Sequence, residues 1–162
     1  MNAGENVSMR ASVCFRNRVL LLAGVVGIAA LACYAQLVQT DPGDAILGEW
    51  LTAEGKAKVQ IYRCDSLFCG KIVWLKEPIK NGKEAVDDKN PDPALQNKPV
   101  IGLVIVWGFS FDGEDEWTGG KVYDPESGST YRGKMTLKDP HTLRLRGYVL
   151  APLLGRTEVW TR

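Results

Sequence analysis

The fold is decided by a stretch of alternating sequence, Thr-Tyr-Arg-Gly-Lys-Met-Thr-Leu at residues 130–137. Small or apolar side chains alternate there with polar ones, and residues 142–150 repeat the pattern. Successive side chains of a strand point to opposite sides of the sheet, so a period of two predicts strands with one buried and one wet face. Turn-forming residues separate these segments. Four antiparallel strands are therefore predicted, at about 117–123, 130–137, 142–150 and 155–162.

Four further strands are predicted upstream, near 47–53, 57–63, 68–75 and 100–109. No segment has the length and the 3.6-residue period of a long helix. Eight antiparallel strands in a small domain predict a closed barrel, because closure removes exposed sheet edges. The expected fold is thus all-β, an eight-stranded antiparallel barrel with one long loop, residues 76–99, before the fourth strand. A barrel of this size has room for side chains or for one small ligand.

The N-terminal residues 1–35 have the pattern of a secretory signal peptide. Three arginines precede the uncharged apolar run of residues 19–32, and small residues follow it. Cleavage after Ala32 and cleavage after Ala35 both fit. A membrane anchor is the alternative, but the run is shorter than the roughly 20 residues that span a bilayer. Lipid attachment at Cys33 is not expected, because no leucine stands three residues before it. Periplasmic or secreted localisation is expected, with no stable transmembrane segment after cleavage.

Residues 36–46 show no periodicity and are interpreted as a linker to a single domain at 47–162. Residues 1–35 contain three arginines and one glutamate, which leaves 17 Lys and Arg against 18 Asp and Glu, a net charge of −1. Nucleic-acid-binding domains usually carry a net basic charge, so no nucleic-acid partner is expected.

Cys64 and Cys69 flank the turn of the first predicted hairpin. Two nearby cysteines of an exported protein usually pair, so a disulfide is predicted that holds the register of this hairpin. A redox-active pair is the alternative. It is less favoured because reactive pairs have Cys-x-x-Cys spacing at a helix start.

The sequence offers few groups for catalysis. The single histidine, His141, lies in a predicted turn, so neither a histidine metal site nor any other metal site is expected, and no cofactor. Carboxylates at 87–88 and 114–116 lie in charged loops and are expected to be solvated. The protein is therefore not expected to be an enzyme. A hydrolase using Asp87 and Asp92 is the least favoured alternative.

Several motifs point to a known family. Gly48-x-Trp50 on the first strand resembles the Gly-x-Trp signature of lipocalins. The wider pattern is similar to the bacterial exported family named domain of unknown function 2147, through motifs that occur in order over about 47–162: Gly48-x-Trp50, Cys64 to Gly70, Asn90-Pro91-Asp92, Lys98-Pro99-x-x-Gly102-Leu103, Trp117-x-Gly119-Gly120-x-x-Tyr123-Asp124-Pro125, Gly128-x-x-Tyr131, Leu145-x-Gly147-Tyr148 and Trp160-Thr161-Arg162.

This resemblance implies a lipocalin-like (calycin-type) barrel with no established activity. It also implies that a basic residue of the last strand packs over Trp50 at the closed end. Arg162 is the first candidate for that role and Arg156 the second.

Two functions are predicted. In the first, the barrel binds a small, largely apolar ligand inside, lined by Ile72, Trp74, Leu103, Trp107, Phe109, Tyr131, Met135 and Leu145, with Asn90 and Asp92 on a loop at the rim. Glycines 70, 133 and 147 on otherwise apolar strand faces would leave space for it; the equally favoured alternative is that they relieve crowding in a filled barrel. In the second, a filled barrel is a cell-envelope interaction module for an unknown protein partner, bound through residues 76–99 and the outer side of 100–109.

Overall fold

The computed structural model describes residues 41–162. The predicted signal peptide, both cleavage positions, Cys33 and residues 36–40 lie outside the described residues. The described part of the chain contains eleven strands and three short 3-10 helices. The helices are Pro42–Ile46, Ala53–Gly55 and Pro152–Leu154. The strands are β1 (Gly48–Leu51), β2 (Ala57–Cys64), β3 (Leu67–Leu75), β4 (Ile79–Lys80), β5 (Lys83–Glu84), β6 (Val104–Phe111), β7 (Glu116–Thr118), β8 (Lys121–Asp124), β9 (Ser129–Asp139), β10 (Thr142–Tyr148) and β11 (Arg156–Thr161).

Nine of these strands close into a barrel. Antiparallel pairs run from β1 through β2 and β3 to β6, and from β9 through β10 and β11 back to β1. β7 and β8 each pair with both β6 and β9, so together they occupy one position in the barrel. The predicted all-β, closed, eight-stranded antiparallel barrel is therefore confirmed. β4 and β5 form a separate small hairpin within the long loop.

The fourth position of the barrel begins later than the sequence predicts. β6 starts at Val104, whereas the apolar run starts at Val100. The amide of Val100 donates to the carbonyl of Ala85, and Pro99 forms a bridge with Val86. Residues 99 and 100 thus pair with the long loop, and regular pairing with β3 begins only at Val104 after hydrogen bonds of Gly102 and Leu103 with Ile72. The connection between β3 and β6, called the long loop from here on, therefore covers residues 76–103.

A bulge in β3 places Trp74 on the outside of the barrel. Val59 pairs with Ile72, but the next residue back on β2, Lys58, pairs with Trp74. The extra residue shifts the alternation by one, so Leu75 takes the position opposite buried Ala57. Trp74 is 42% exposed, and its predicted place in an internal ligand site is wrong.

The interpretation of residues 42–46 as a linker is also wrong. They form a 3-10 helix whose Ile46 is fully buried, and Asp41 caps it by accepting a hydrogen bond from the Gly43 amide at 2.9 Å. The indole Nε1 of Trp117 donates to the Gly43 carbonyl at 3.1 Å. A Cβ at position 43 would lie 3.0 Å from the Cβ of Phe111, so glycine lets the helix pack closely against the end of the barrel.

Candidate functional site

Trp50 and Arg162 contact each other at the end of the barrel that the 3-10 helix Pro42–Ile46 covers. The guanidinium carbon lies 4.2 Å from the centroid of the buried indole ring, in cation–π geometry. Arg162 also donates hydrogen bonds to the backbone carbonyls of Leu47 at 2.7 Å, Ala45 at 3.0 Å and Pro140 at 2.7 Å. One side chain therefore joins the last strand, the entry to the first strand and the turn between β9 and β10.

The Gly-x-Trp motif has a local reason. Gly48 has φ of +119°, which an L side chain rarely adopts, and a Cβ there would lie 3.3 Å from Nη1 of Arg162. Arg156, the second candidate for this role, pairs with Gly147 at the opposite end of β11. The residue over Trp50 is thus Arg162.

A second arginine supports the same end. Arg63 forms ion pairs with Asp41 and Asp44 of the N-terminal 3-10 helix and lies 4.7 Å above the Phe68 ring. The backbone amide of Gly43 holds the pKa of Asp41 below its ordinary value, and Arg63 lowers it further. These contacts are structural and stabilise the end of the barrel where Trp50 and Arg162 lie.

Four of the residues predicted to line a ligand cavity lie in the packed core: Ile72, Phe109, Met135 and Leu145. Phe109 and Met135 expose no surface at all. A side chain beside a void large enough for water would expose some surface to it. The middle of the barrel, around these two residues, is therefore filled.

Two of the strand glycines provide room for neighbouring side chains. A Cβ at Gly133 would lie 2.3 Å from Cζ of Phe109, and a Cβ at Gly70 would lie 3.0 Å from Cγ1 of Val59. Both distances are too short for an unstrained contact, so glycines 70 and 133 relieve crowding. A Cβ at Gly120, between β7 and β8, would lie even closer to the Phe109 ring, at 2.1 Å from Cδ2. The aromatic ring of Phe109 occupies the space beside Gly120 and Gly133.

Gly147 is different. A Cβ there would meet only the Tyr131 side chain, at 3.5 Å, which is ordinary van der Waals contact. Tyr131 is half-buried and does not belong to the central core. Gly147 also pairs with the exposed Arg156, at the end of β11 that lies away from Arg162. Of the three glycines on apolar strand faces, Gly147 is therefore the one that does not relieve crowding.

The two remaining predicted lining residues are partly buried. Leu103 precedes β6 and packs against the core from the long loop. Trp107 pairs with exposed Lys121, and cross-strand partners share a face, so its side chain lies on the outer face of the barrel. The predicted lining residues therefore do not surround one space.

Asp87 was expected to be solvated and is instead fully buried. Its Oδ1 accepts a hydrogen bond from the Tyr123 hydroxyl at 2.7 Å, and its Oδ2 accepts one from the Asn90 side-chain amide at 2.6 Å. Burial, followed by the hydrogen bond to the Asp87 carboxylate, raises the pKa of Tyr123 to about 12. The sequence motifs that contain Asn90 and Tyr123 pointed to these two residues. No local pattern could show that Tyr123 pairs with Asp87, because the two lie 36 positions apart.

This cluster fastens the long loop to the outside of β8. Tyr123 pairs with exposed Thr130, whereas its neighbour Val122 lies close to the Gly133 position inside the barrel. Asn90, predicted at the loop rim, is buried in the cluster. Asp92 is exposed and accepts a hydrogen bond from the Ala94 amide at 2.9 Å.

The turn after β8 makes a second contact with the loop. Gly128 has φ of +71°, and a Cβ there would lie 2.0 Å from the carbonyl oxygen of Lys89. Lys89 also donates from its ammonium group to the carbonyl of Glu126. The loop is thus held against the barrel at several points.

A groove on the outer face of the barrel was not predicted from the sequence. It has a volume of about 290 Å³ and is lined by side chains of β7, β9, β10 and β11 together with Pro152. Four of its lining residues are basic: Lys134, Lys138, Arg144 and Arg146. They alternate with core residues along β9 and β10, and this alternation is the sequence feature that places them on the outer face. Their convergence depends on strand register, which pairs Arg146 with Lys134.

Neither metal-binding groups nor a membrane-spanning helix are found in the described part of the chain. Over residues 41–162, no three His, Cys, Asp or Glu side chains are arranged to hold a metal ion. No helix in that range has the length and apolarity needed to cross a membrane. The predicted disulfide between Cys64 and Cys69 is confirmed, with the two Cα atoms 5.8 Å apart.

The fold has a solved counterpart. The structure titled "Protein HP1028 from the human pathogen Helicobacter pylori belongs to the lipocalin family" superimposes with a TM-score of 0.65 at 24% identity, covering 72% of this chain and 82% of that one. This likeness shows a lipocalin-like fold. Among curated proteins, none matches the chain.

The family expected from the sequence motifs is confirmed by a match over residues 48–162, which include every strand of the barrel. The family is described as "Uncharacterized protein conserved in bacteria (DUF2147)". By the extent of this match, the chain belongs to the family domain of unknown function 2147.

Proposed function

We propose that this protein is an exported, non-catalytic interaction module that binds a protein partner through the surface of a filled barrel. The filled interior carries the proposal: the ring of Phe109 occupies the space beside Gly120 and Gly133, and Met135 is fully buried. A barrel filled in this way has no central cavity for a ligand around these residues. Its function then lies on its surface.

The long loop is the proposed partner surface. Connections between adjacent antiparallel strands usually take two to five residues, whereas β3 and β6 are joined by residues 76–103. Long ordered loops in compact domains are usually functional. The buried carboxylate of Asp87 and the contact between Lys89 and Gly128 hold this loop in place while Ile79, Leu95 and Ile101 remain exposed. An ordered loop with exposed apolar side chains is a surface that a partner can bury at little entropic cost.

The disulfide supports the exported location. Disulfides persist in oxidising compartments and are rare in the cytosol. Cys64 and Cys69 are bonded, and the N-terminal sequence has the features of a signal peptide. Fractionation of cells that express the full chain tests this, since the processed protein should leave with the periplasmic fraction or the medium. Retention of the unprocessed chain in the cytoplasm would contradict export.

The partner proposal is tested with processed protein purified from the exported fraction. Envelope proteins that bind it are compared with those that bind an Ile79→Ser/Ile101→Ser variant and a Val159→Ser control, since Val159 is an exposed aliphatic residue on β11. We expect one partner that is retained by wild type and control, lost by the loop variant, and bound again when purified. A partner that binds all three proteins equally would contradict the role of the loop.

A small ligand beside Gly147 is the second candidate, favoured because a Cβ at that position would make no contact closer than 3.5 Å. Native mass spectrometry of the processed protein, before and after incubation with fatty acids and lipid extracts, should then show extra mass that leaves on denaturation. A Gly147→Leu variant places a bulky side chain at that position and should lose the extra mass, whereas the surface variant Val159→Ser should keep it. A bare protein mass under all conditions would remove this candidate.

A further inference from the structure

The connection between β10 and β11 exposes a cluster of aliphatic side chains. Val149, Leu150, Leu153 and Leu154 are between 68% and 88% exposed. A single exposed leucine is ordinary, but four large aliphatic side chains within six residues are not. We call residues 149–154 the apolar tip.

The basic groove lies directly beside the apolar tip, because Pro152 belongs to both. The groove contains Lys134, Lys138, Arg144 and Arg146, against one acidic residue, Glu116. Glu116 pairs with Lys134 at 2.6 Å, and within residues 41–162 this is the only ion pair in the groove. The groove therefore keeps a net positive charge although the whole barrel is nearly neutral.

Arg146 connects the groove to the apolar tip. Its guanidinium donates hydrogen bonds to the backbone carbonyls of Pro152 and Leu153, the latter at 3.1 Å, and to the Thr157 hydroxyl at 2.7 Å. These bonds hold the backbone of the tip against the barrel. The side chains of Leu153 and Leu154 remain exposed to solvent. Arg146, a residue of the groove, therefore fixes the backbone of the apolar tip while the leucine side chains stay exposed.

We propose that the apolar tip and the basic groove together dock the protein on an anionic lipid bilayer. The aliphatic side chains enter the boundary between headgroups and acyl chains, and the groove cations pair with lipid phosphates. Surfaces that bind membranes peripherally combine these two features, and each basic residue near an anionic leaflet adds to the affinity. The proposal is independent of the long loop and of the partner suggested for it.

A nucleic acid would account for the charge but not for the tip. Single-stranded nucleic acids stack on aromatic side chains, and the exposed residues of the tip are all aliphatic. A bilayer accounts for both features at once. Binding to nucleic acid is therefore an alternative outcome of the test.

The test is sedimentation of the processed protein with lipid vesicles, either pure phosphatidylcholine or an equal mixture with phosphatidylglycerol. We expect wild type to bind the anionic vesicles about tenfold more tightly or better, and to lose that preference as salt increases. Leu153→Ser/Leu154→Ser and Lys138→Glu/Arg144→Glu should each weaken binding to anionic vesicles by about tenfold or more. All four positions are exposed, so both variants should keep the fold, which circular dichroism checks.

Matched controls carry the same changes on the long loop: Ile79→Ser/Ile101→Ser for the apolar pair and Lys80→Glu/Lys83→Glu for the basic pair. They should bind within about twofold of wild type. Equal binding to both vesicle types, or no effect of the leucine changes, would overturn the proposal. So would tighter binding to a single-stranded oligonucleotide than to anionic vesicles, since that would assign the groove to nucleic acid.

Discussion

The guanidinium of Arg162 lies 4.2 Å from the centre of the Trp50 ring and joins the last residue of the chain to its first strand. Only one residue pair, Leu51 with Thr161, links β1 to β11 through the sheet. Arg162 adds three hydrogen bonds to backbone carbonyls at this closure. The Arg162 side chain therefore reinforces the barrel between β1 and β11, where the strands share a single residue pair.

Replacement of this arginine should destabilise the fold. Arg162→Ala removes the cation–π contact and the three hydrogen bonds, and we expect a loss of about 1–3 kcal/mol in the free energy of unfolding. Arg162→Lys should recover part of the loss, because lysine keeps the charge but not the planar group of donors. Urea denaturation measures both. Arg144→Ala, an exposed control, should change stability by less than about 0.5 kcal/mol, and an equal loss in Arg162→Ala and this control would refute the role of the closure.

Two glycines on adjacent strands should respond differently to the same substitution. Gly133→Ala places a Cβ 2.3 Å from the Phe109 ring and should cost about 1–3 kcal/mol through overpacking. Gly147→Ala meets its nearest neighbour at 3.5 Å and should be close to neutral. Thermal and urea unfolding of both variants compare them. If Phe109→Leu does not reduce the cost of Gly133→Ala, the packing explanation is wrong.

The buried tyrosine should make the protein sensitive to alkaline pH. The pKa of Tyr123 is raised from 10.0 to about 12, first by burial and then by the Asp87 carboxylate. The unfolded chain therefore loses this proton near pH 10, while the folded protein retains it to about pH 12. Stability from this group is fully present below pH 10 and is lost as pH rises toward 12, by on the order of 2 kcal/mol.

Absorbance at 295 nm, which reports tyrosinate, checks this prediction. In the native protein, Tyr123 should ionise only as the pH approaches about 12. Tyr123→Phe should remove that late step and flatten the fall in stability between pH 10 and 12. Tyr62→Phe serves as the control, because Tyr62 lies outside the cluster. A native titration in which every tyrosine ionises together near pH 10 would contradict the prediction.

The disulfide should contribute to stability without being essential to the fold. Cys64 and Cys69 are five positions apart, so their bond closes a short loop and removes little entropy from the unfolded chain. Closing a loop of this length should raise the free energy of unfolding by about 2 kcal/mol. Cys64→Ser/Cys69→Ser should therefore fold with a lower midpoint in urea, since the core does not depend on the bond. Failure of the variant to form any β-structure by circular dichroism would show that the hairpin cannot hold its register without it.

The strands and the barrel were predictable because their signals are local. Alternation on β9 and β10 is visible within about ten residues, and Asp-Pro turns mark where β8 and β9 end. The cysteine pair and the Gly-x-Trp motif are equally short. The position of Trp74 was not predictable, because a single extra residue in β3 reverses which side chains face inward, and nothing nearby marks the bulge.

The sites depended on contacts between distant parts of the chain. Asp87 is in a charged loop by sequence, and it is buried because Tyr123 and Asn90 supply donors to both of its oxygens. Gly133 could have bordered a cavity or relieved crowding, and the ring of Phe109, 24 positions away in the sequence, decides between them. The basic groove arises because the pairing of Lys134 with Arg146 brings charges from separate strands together.

The amino-acid sequence by itself therefore determined the class of fold, the number of barrel positions, the disulfide and the family. Each of these is carried by neighbouring residues, whose alternation, turns and spacing act over a few bonds. Only the tertiary structure decided which internal space is filled, which carboxylate is buried and which charges converge. Those outcomes depend on strand register and barrel closure, which are set by the packing of side chains far apart in the chain.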